Sequence, residues 1–386
     1  MVATTPRLHA LGTGHSFSPV ADSPGALVSV AKLPRKIEID STMQTVSVSG
    51  GLRWGELAPV LHEAGFALHN LGSLPHISLA GSVATGTHGS GSRNGSLATA
   101  VTAFDLVTAD GTVRRLARGE PDFDGAVVAL GALGVVSELT LAIQPTFLMR
   151  QVVYEGLSFD SALENLDAVL DCAYSVSLFS TWQGFGFEQV WTKQRVGDAV
   201  DLRATGAAVA RGQRNPVPGV SPTHCTAQGG KPGPWFERLP HFRLEFTPSS
   251  GAELQSEYFV PRERAHAALE AINSIRQQIA PVLLIGEIRT VAADNLWLSP
   301  SFGRDSLAIH FTWKPDAAAV RPVVRAVEEA LAPFDPRPHW GKVFYQEAIG
   351  CYERMPDFRR LAAELDPGGK FRNTALDRHI FGVPSR

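Results

Sequence analysis

The chain has 386 residues, 44% of them hydrophobic and 19% charged, the balance of a soluble globular protein with core enough for two to three domains. A formal charge of −3, with Lys and Arg scattered, leaves no basic run to track phosphates, so nucleic acid is not an expected partner. Cys172, Cys225 and Cys351 are widely spaced and form no CxxC pair, no apolar run serves as a signal-peptide core or a membrane span, and the expected address is the cytoplasm.

Glycine is concentrated between Gly12 and Gly95, in GTGHS, GGLRWG and GSLPHISLAGSVATGTHGSGSRNGS, where the missing Cβ lets backbone approach a ligand. Between these loops, 36–40 and 45–49 read as paired strands, and 54–64 reads as an amphipathic helix. Segments 104–109 and 112–117 flank Asp110-Gly111 and predict a hairpin with a type I′ turn. A helix is expected over 123–133 and a strand over 135–143, which makes the first 144 residues a mixed α+β unit.

Composition shifts after Gln144. A helix is predicted over 159–173 and strands over 176–179 and 188–193, while 196–234 is an irregular excursion rich in Gly and Pro. Strands over 242–246 and 253–260 flank a Pro-Ser-Ser-Gly turn. A strong helix over 262–279 follows, with apolar residues three and four apart. Strands 282–290 and 306–313, helix 317–331 and a short helix 357–365 complete the pattern. The expected fold class is α+β, with two domains and a second, mixed or antiparallel sheet.

The glycine loops fail two phosphate-binding tests. Gly12-Thr13-Gly14-His15-Ser16-Phe17 puts Phe17 where a Rossmann fingerprint needs its third glycine, and Gly81–Gly86 is followed by Thr87-His88 instead of Lys-Ser/Thr. What remains is a pair of loops whose N–H groups suit a pyrophosphate. His62, His69, His76 and His88 are 7, 7 and 12 residues apart, unlike the short paired spacings of zinc sites, so no metal is expected. Farther on, Glu287 and Arg289 are two apart on one predicted strand, as are His310 and Thr312 on the next, so each pair shares a face. Arg289 and Lys342 each interrupt an apolar, strand-like segment.

ALGTGHSFSPVADS, SLPHISLAGSVATGTHGSG and ALGVVSELTL resemble the FAD-binding domain of vanillyl-alcohol-oxidase-type flavoproteins. FTPSSGAELQSEYFVPRE, GEIRTVAADNLWLSPSFGRDS, HFTW and RPHWGKVF resemble the alditol (xylitol) oxidases within that group, and the similarity runs through nearly the whole chain. One departure lies at the start, where such proteins carry about thirty further residues before RLHALGTGHS, normally a strand and a helix.

The resemblance implies FAD, attached covalently through His15, with Gly12, Thr13, Gly14 and Ser16 around the pyrophosphate. Gly81, Ser82, Thr85, Gly86, Thr87 and Gly89 would pack along it, and Val136 would touch the adenine side. It implies a polyol site of Ser73, Glu287, Arg289, His310, Thr312 and Lys342, with Arg289, Lys342 and Glu287 catalytic. The implied reaction is oxidation of a terminal polyol hydroxyl to the aldose, with O2 reduced to H2O2, by a monomer. Residues 1–144 and 344–386 would form the flavin domain and 145–343 the substrate domain. The alternatives are a sugar-lactone or other carbohydrate oxidoreductase of the same fold, and a non-catalytic flavin- or sugar-binding protein.

Overall fold

The computed structural model describes residues 1–184, 186–245 and 253–383. Its architecture is α+β, built on two large sheets. In the first, Ile37–Asp40, Thr45–Ser49, Val135–Ala142, Val101–Val107 and Val113–Ala117 lie side by side in that order, every pairing antiparallel. Strict alternation drives this. Val46 and Val48 are fully buried while Thr45 and Ser47 between them are only half-buried, so one face of the strand enters the core. Trp54–Glu63 packs Trp54, Leu57 and Leu61 into that core, one turn apart on a single stripe. The returning helix Met355–Leu365 adds Met355, Phe358, Leu361 and Leu365 to the same cluster. Leu8–Leu11 and Ala26–Ser29 form a separate two-stranded parallel sheet.

The second sheet has nine strands and includes Leu148–Ser158, Gly186–Arg195, Ser175–Ser180, Leu283–Val291, Ser306–Trp313 and Leu254–Pro261, adjacent in that order. One face is apolar. Ile309, Phe311 and Trp313 of one strand, with Tyr258 and Val260 of the next, bury against the helices Ala265–Ser274 and Ala317–Leu331. Each such side chain contributes roughly 1.5–3 kcal/mol on burial. The opposite face carries Glu257, Glu287 and His310 in one row across three strands, because Glu257 and Glu287 both pair with His310 in the register. This polar face looks toward the glycine loops.

Several predicted elements differ from those observed. Helix 123–133 is only Phe123–Val127, after which Leu130, Gly131 and Gly134 take positive φ and the chain becomes a loop. The hairpin turn is not type I′. Only Gly111 (φ +88°) is left-handed, whereas that turn needs both central residues there; instead Gly111 N–H donates to Thr108 O, and Asp110 Oδ1 accepts from Thr108 and Thr112. Helices 159–173 and 262–279 are each broken, at Asn165 and Ile275. The eleven-residue strand Leu148–Ser158 has no counterpart among the predicted elements. Phe242 forms an isolated bridge with Cys225 and no strand, and Phe246 with the whole predicted Pro-Ser-Ser-Gly turn lies outside the described residues. Lys342 sits in a loop beyond the short strand Arg337–Pro338, its N–H bonded to His339 O at 3.0 Å.

Candidate active site

A cavity of about 410 Å³ lies between the two sheets. From the first unit it is lined by Gly12, Thr13, Gly14, His15 and Ser16, by Gly81, Ser82, Thr85 and Thr87, and by Val136. From the second it is lined by Glu287, Arg289, His310, Thr312 and Lys342, with Ser73 at the junction. Two residues of the predicted set stand back from it. Gly86 (φ +67°) has Pro300 beside its Cβ position, and Gly89 is packed so tightly on Leu71 O and the Asn70 side chain that a Cβ would collide at 2.4 and 2.6 Å. Gly86 is needed for its left-handed backbone and Gly89 for space.

The two glycine loops meet back to back. A Cβ on Gly12 would come within 2.4 Å of Ser78 Oγ, and one on Gly81 within 2.9 Å of the same atom. Gly14 (φ +68°) has nothing within 4 Å of its Cβ position, so the loop opens into the cavity. His15 follows directly. Its Nε2 is buried and accepts or donates no hydrogen bond among the described residues, and the His76 ring lies 5.3 Å away. Burial, reinforced by the Lys342 charge, lowers the His15 imidazole below its ordinary value, against an opposing backbone hydrogen bond, so it is neutral at pH 7.

On the facing sheet, one carboxylate organises the cations. Glu257 Oε1 accepts from Arg289 Nη2 and its Oε2 from Lys342 Nζ, each at 2.5 Å, with His88 Nε2 3.3 Å from Oε2. Glu257 was not among the predicted residues. Burial alone would raise its carboxyl, but the Arg289 and Lys342 charges outweigh burial and hold it well below the usual range. The same contest keeps Glu287 anionic through Arg289 and His241. Lys342 also donates to His310 Nδ1 at 2.8 Å. An ammonium cannot accept, so His310 carries its proton on Nε2 and donates it to Thr312 Oγ1 at 3.0 Å. Burial and Lys342 hold His310 neutral. Two of the three Lys342 donors are thus used, and one remains for the cavity.

Arg289 Nη1 reaches Ser73 Oγ at 3.5 Å, while its Nε is buried without a hydrogen-bond partner, 3.6 Å from Glu287 Oε1. The wall therefore presents a cation pair, a second carboxylate and hydroxyls, the donors and acceptors a polyhydroxylated ligand needs. His88, Glu257 and His339 also bring ligand atoms within 4.8 Å of one another. Both Glu257 oxygens are already engaged by cations, which makes this trio a poor seat for a metal ion.

Residues 3–117 match the family described as FAD binding domain, and residues 252–379 match that described as D-arabinono-1,4-lactone oxidase. An alditol oxidase from a Streptomyces species is 54% identical over 370 residues, spanning 94% of this chain and 88% of the relative. The chain belongs to the alditol oxidase family of FAD flavoproteins. Within that family's wider relations, an L-gulono-1,4-lactone dehydrogenase of Mycobacterium tuberculosis is 30% identical over 396 residues, 97% of this chain and 90% of the other. A xylooligosaccharide oxidase from Myceliophthora thermophila shares the fold at TM-score 0.73 and 14% identity, over 98% of this chain and 87% of that one. A solvent-stable cholesterol oxidase does so at the same score and identity, over 96% and 90%.

Membership makes the protein an FAD-dependent oxidoreductase of the vanillyl-alcohol-oxidase type. The residues present fit the cofactor. Two glycine loops crowded at the Ser78 hydroxyl line the cavity, and the His15 imidazole that also lines it has a buried nitrogen without a hydrogen-bond partner among the described residues. Among the described residues, no helix is long and apolar enough to cross a membrane.

Proposed function

We propose that this protein oxidises the terminal carbinol of a linear polyol such as xylitol or sorbitol to the aldose, with O2 reduced to H2O2. The observation that carries this reading is the pairing of Arg289 and Lys342 on buried Glu257, in the wall of the cavity that the His15 loop also lines. When bound, FAD supplies the hydride acceptor at N5 and passes the electrons on to O2.

The chain's own residues do the rest. Arg289 and the spare Lys342 N–H face the substrate oxygen and stabilise the negative charge it gains as its proton leaves, an effect strengthened in a dry site. Glu257, with both oxygens engaged, keeps the two cations in place. Glu287, Ser73 and Thr312 hold the remaining hydroxyls and set which carbon reaches the reacting position, while His310, engaged by Lys342 and Thr312, orients the Thr312 hydroxyl. Gly12, Thr13, Gly14 and Ser16 would hold the pyrophosphate, with Gly81, Ser82, Thr85 and Thr87 along it and Val136 on the adenine side. Residues 1–144 and 344–386 act as the flavin domain and 145–343 as the substrate domain.

Neutral His15 is the covalent attachment point, since an uncharged imidazole has a free nitrogen for the flavin 8α-methyl. Acid-precipitated protein should keep its yellow colour in the pellet, and a flavin-loaded His15→Ala variant should release it. A pellet equally yellow in that variant would reassign the link.

A lactone substrate is the second reading, favoured by the match of residues 252–379 to the lactone oxidase family, a span that includes Glu257, Glu287, Arg289, His310 and Lys342. A substrate and acceptor screen separates the two. Peroxide produced in equal amount to xylitol consumed supports the polyol reading; turnover of lactones with xylitol inert removes it.

A further inference from the structure

We propose that Lys193 and His241 are positioning residues that hold Glu287 in the orientation in which it takes a substrate hydroxyl. The proposal rests on the polyol reading of the same cavity. Lys193 lies on Gly186–Arg195 and is 1% exposed, one of the largest fully buried side chains in the protein. A lysine is almost never buried so completely without a specific partner. Its Nζ donates to Leu239 O and, at 2.9 Å, to His241 Nδ1. His241 Nε2 in turn lies 2.8 Å from Glu287 Oε1.

The direction of this chain is fixed by donor arithmetic. Glu287 is a carboxylate and can only accept, so the neutral His241 ring carries its proton on Nε2, aimed at Glu287 Oε1, and Nδ1 accepts from Lys193. Burial brings the Lys193 ammonium down to about 7, yet the neutral amine still has two N–H donors, enough for both of its acceptors. His241 is held neutral, at about 4, by burial and then by Lys193. With Oε1 occupied, Glu287 Oε2 accepts no hydrogen bond among the described residues, and the side chain lines the cavity.

Neither upstream residue competes for the substrate. Lys193 does not line the cavity. His241 does, but both its nitrogens are engaged, and its ring is flanked edge-on by Phe179 and Trp191 at 5.4 and 5.3 Å. The His241 backbone adds a second hold, its N–H donating to Ser73 O at 3.1 Å. One residue beyond the irregular excursion therefore fixes two polyol contacts, Glu287 through its ring and Ser73 through its main chain. Removing either upstream group frees Glu287 to rotate toward Arg289 Nε, 3.6 Å away, and its hydroxyl contact is lost.

The test uses the flavin-loaded full chain and xylitol, comparing His241→Leu, Lys193→Met and His241→Gln. Gln keeps an amide donor for Glu287 and an acceptor for Lys193. His241→Leu and Lys193→Met should each raise KM by about tenfold or more, the worth of one charge-assisted hydrogen bond, with a smaller change in kcat. His241→Gln should recover most of that loss. Flavin absorbance per protein checks that each variant is loaded, and if His241→Leu does not load, Lys193→Met decides. Loaded Lys193→Met or His241→Leu with unchanged KM overturns the proposal, as does His241→Gln no better than Leu. If the unmodified protein does not oxidise xylitol, the polyol reading fails instead, which is a separate result.

Discussion

Glu257 is the residue on which the site turns, because it is the shared anion of two buried cations that would otherwise repel each other. Replacing it with Gln leaves Arg289 and Lys342 buried and uncompensated, an arrangement that costs about 3–5 kcal/mol. Glu257→Gln should therefore lower both thermal stability and kcat. The sign with pH follows from its depressed carboxyl. The stability it contributes is complete above the ordinary glutamate value of about 4.3 and is lost as pH falls toward the lower folded value. The stability gap between the unmodified protein and Glu257→Gln should thus be constant near neutrality and close in acid; a gap widening in acid would contradict this. Lys342→Met removes a donor aimed at the reacting oxygen and should cut kcat by about 10²–10³-fold in a peroxide assay, while leaving flavin content intact. A Lys342→Met enzyme with unchanged kcat would remove Lys342 from the chemistry.

At the scale of elements, the back-to-back glycine loops make a prediction about cofactor retention. A methyl on Gly12 collides with Ser78 Oγ at 2.4 Å, whereas Ser78 Cβ would be 3.7 Å away, an ordinary contact. Gly12→Ala should reduce flavin content in purified protein, and adding Ser78→Ala should restore much of it. No rescue would mean that the methyl obstructs the cofactor and not the neighbouring loop. The same scale shows why part of the site was legible in the sequence. Glu287 with Arg289, and His310 with Thr312, stand two apart on strands, so period-two alternation by itself puts each pair on one face. Glu257 stands against the apolar residues of LQSEYFVP, the same kind of signal that marks Arg289. Lys193 in GFEQVWTKQR gave no such signal, because it stands among polar residues in the sequence. His241 gave none, since it lies in a stretch without periodicity, and only the register of distant strands brings it to Glu287. The broken helices were hidden for a related reason. Apolar spacing continues through Asn165 and Ile275, and the interruption is set by how each half packs on the sheet.

For the whole molecule, buried neutral histidines dictate an acid-sensitive fold. Burial lowers His76, His241 and His379 to about 4 from an ordinary 6.5. Between those values the unfolded chain binds protons that the folded chain refuses, so their contribution to stability is complete above 6.5 and lost as pH falls toward 4. The melting temperature should decline across that window, and His241→Gln should make the decline shallower. A melting temperature flat from pH 6.5 to 4 would show that these rings are protonated in place. The architecture also explains why the chemistry sits where it does. One sheet packs its apolar face on helices and turns its polar face to the glycine loops, so the proposed cofactor and substrate contacts line one cavity. On the proposed reading, a polyol held on that polar face gives its hydride to flavin held on the opposite wall. The most direct measurement is the visible absorbance of the flavin-loaded protein mixed with xylitol in the absence of oxygen. Bleaching of the flavin band, followed on admitting O2 by its return with one equivalent of peroxide, is the predicted result; a band unchanged by xylitol and sorbitol would contradict it.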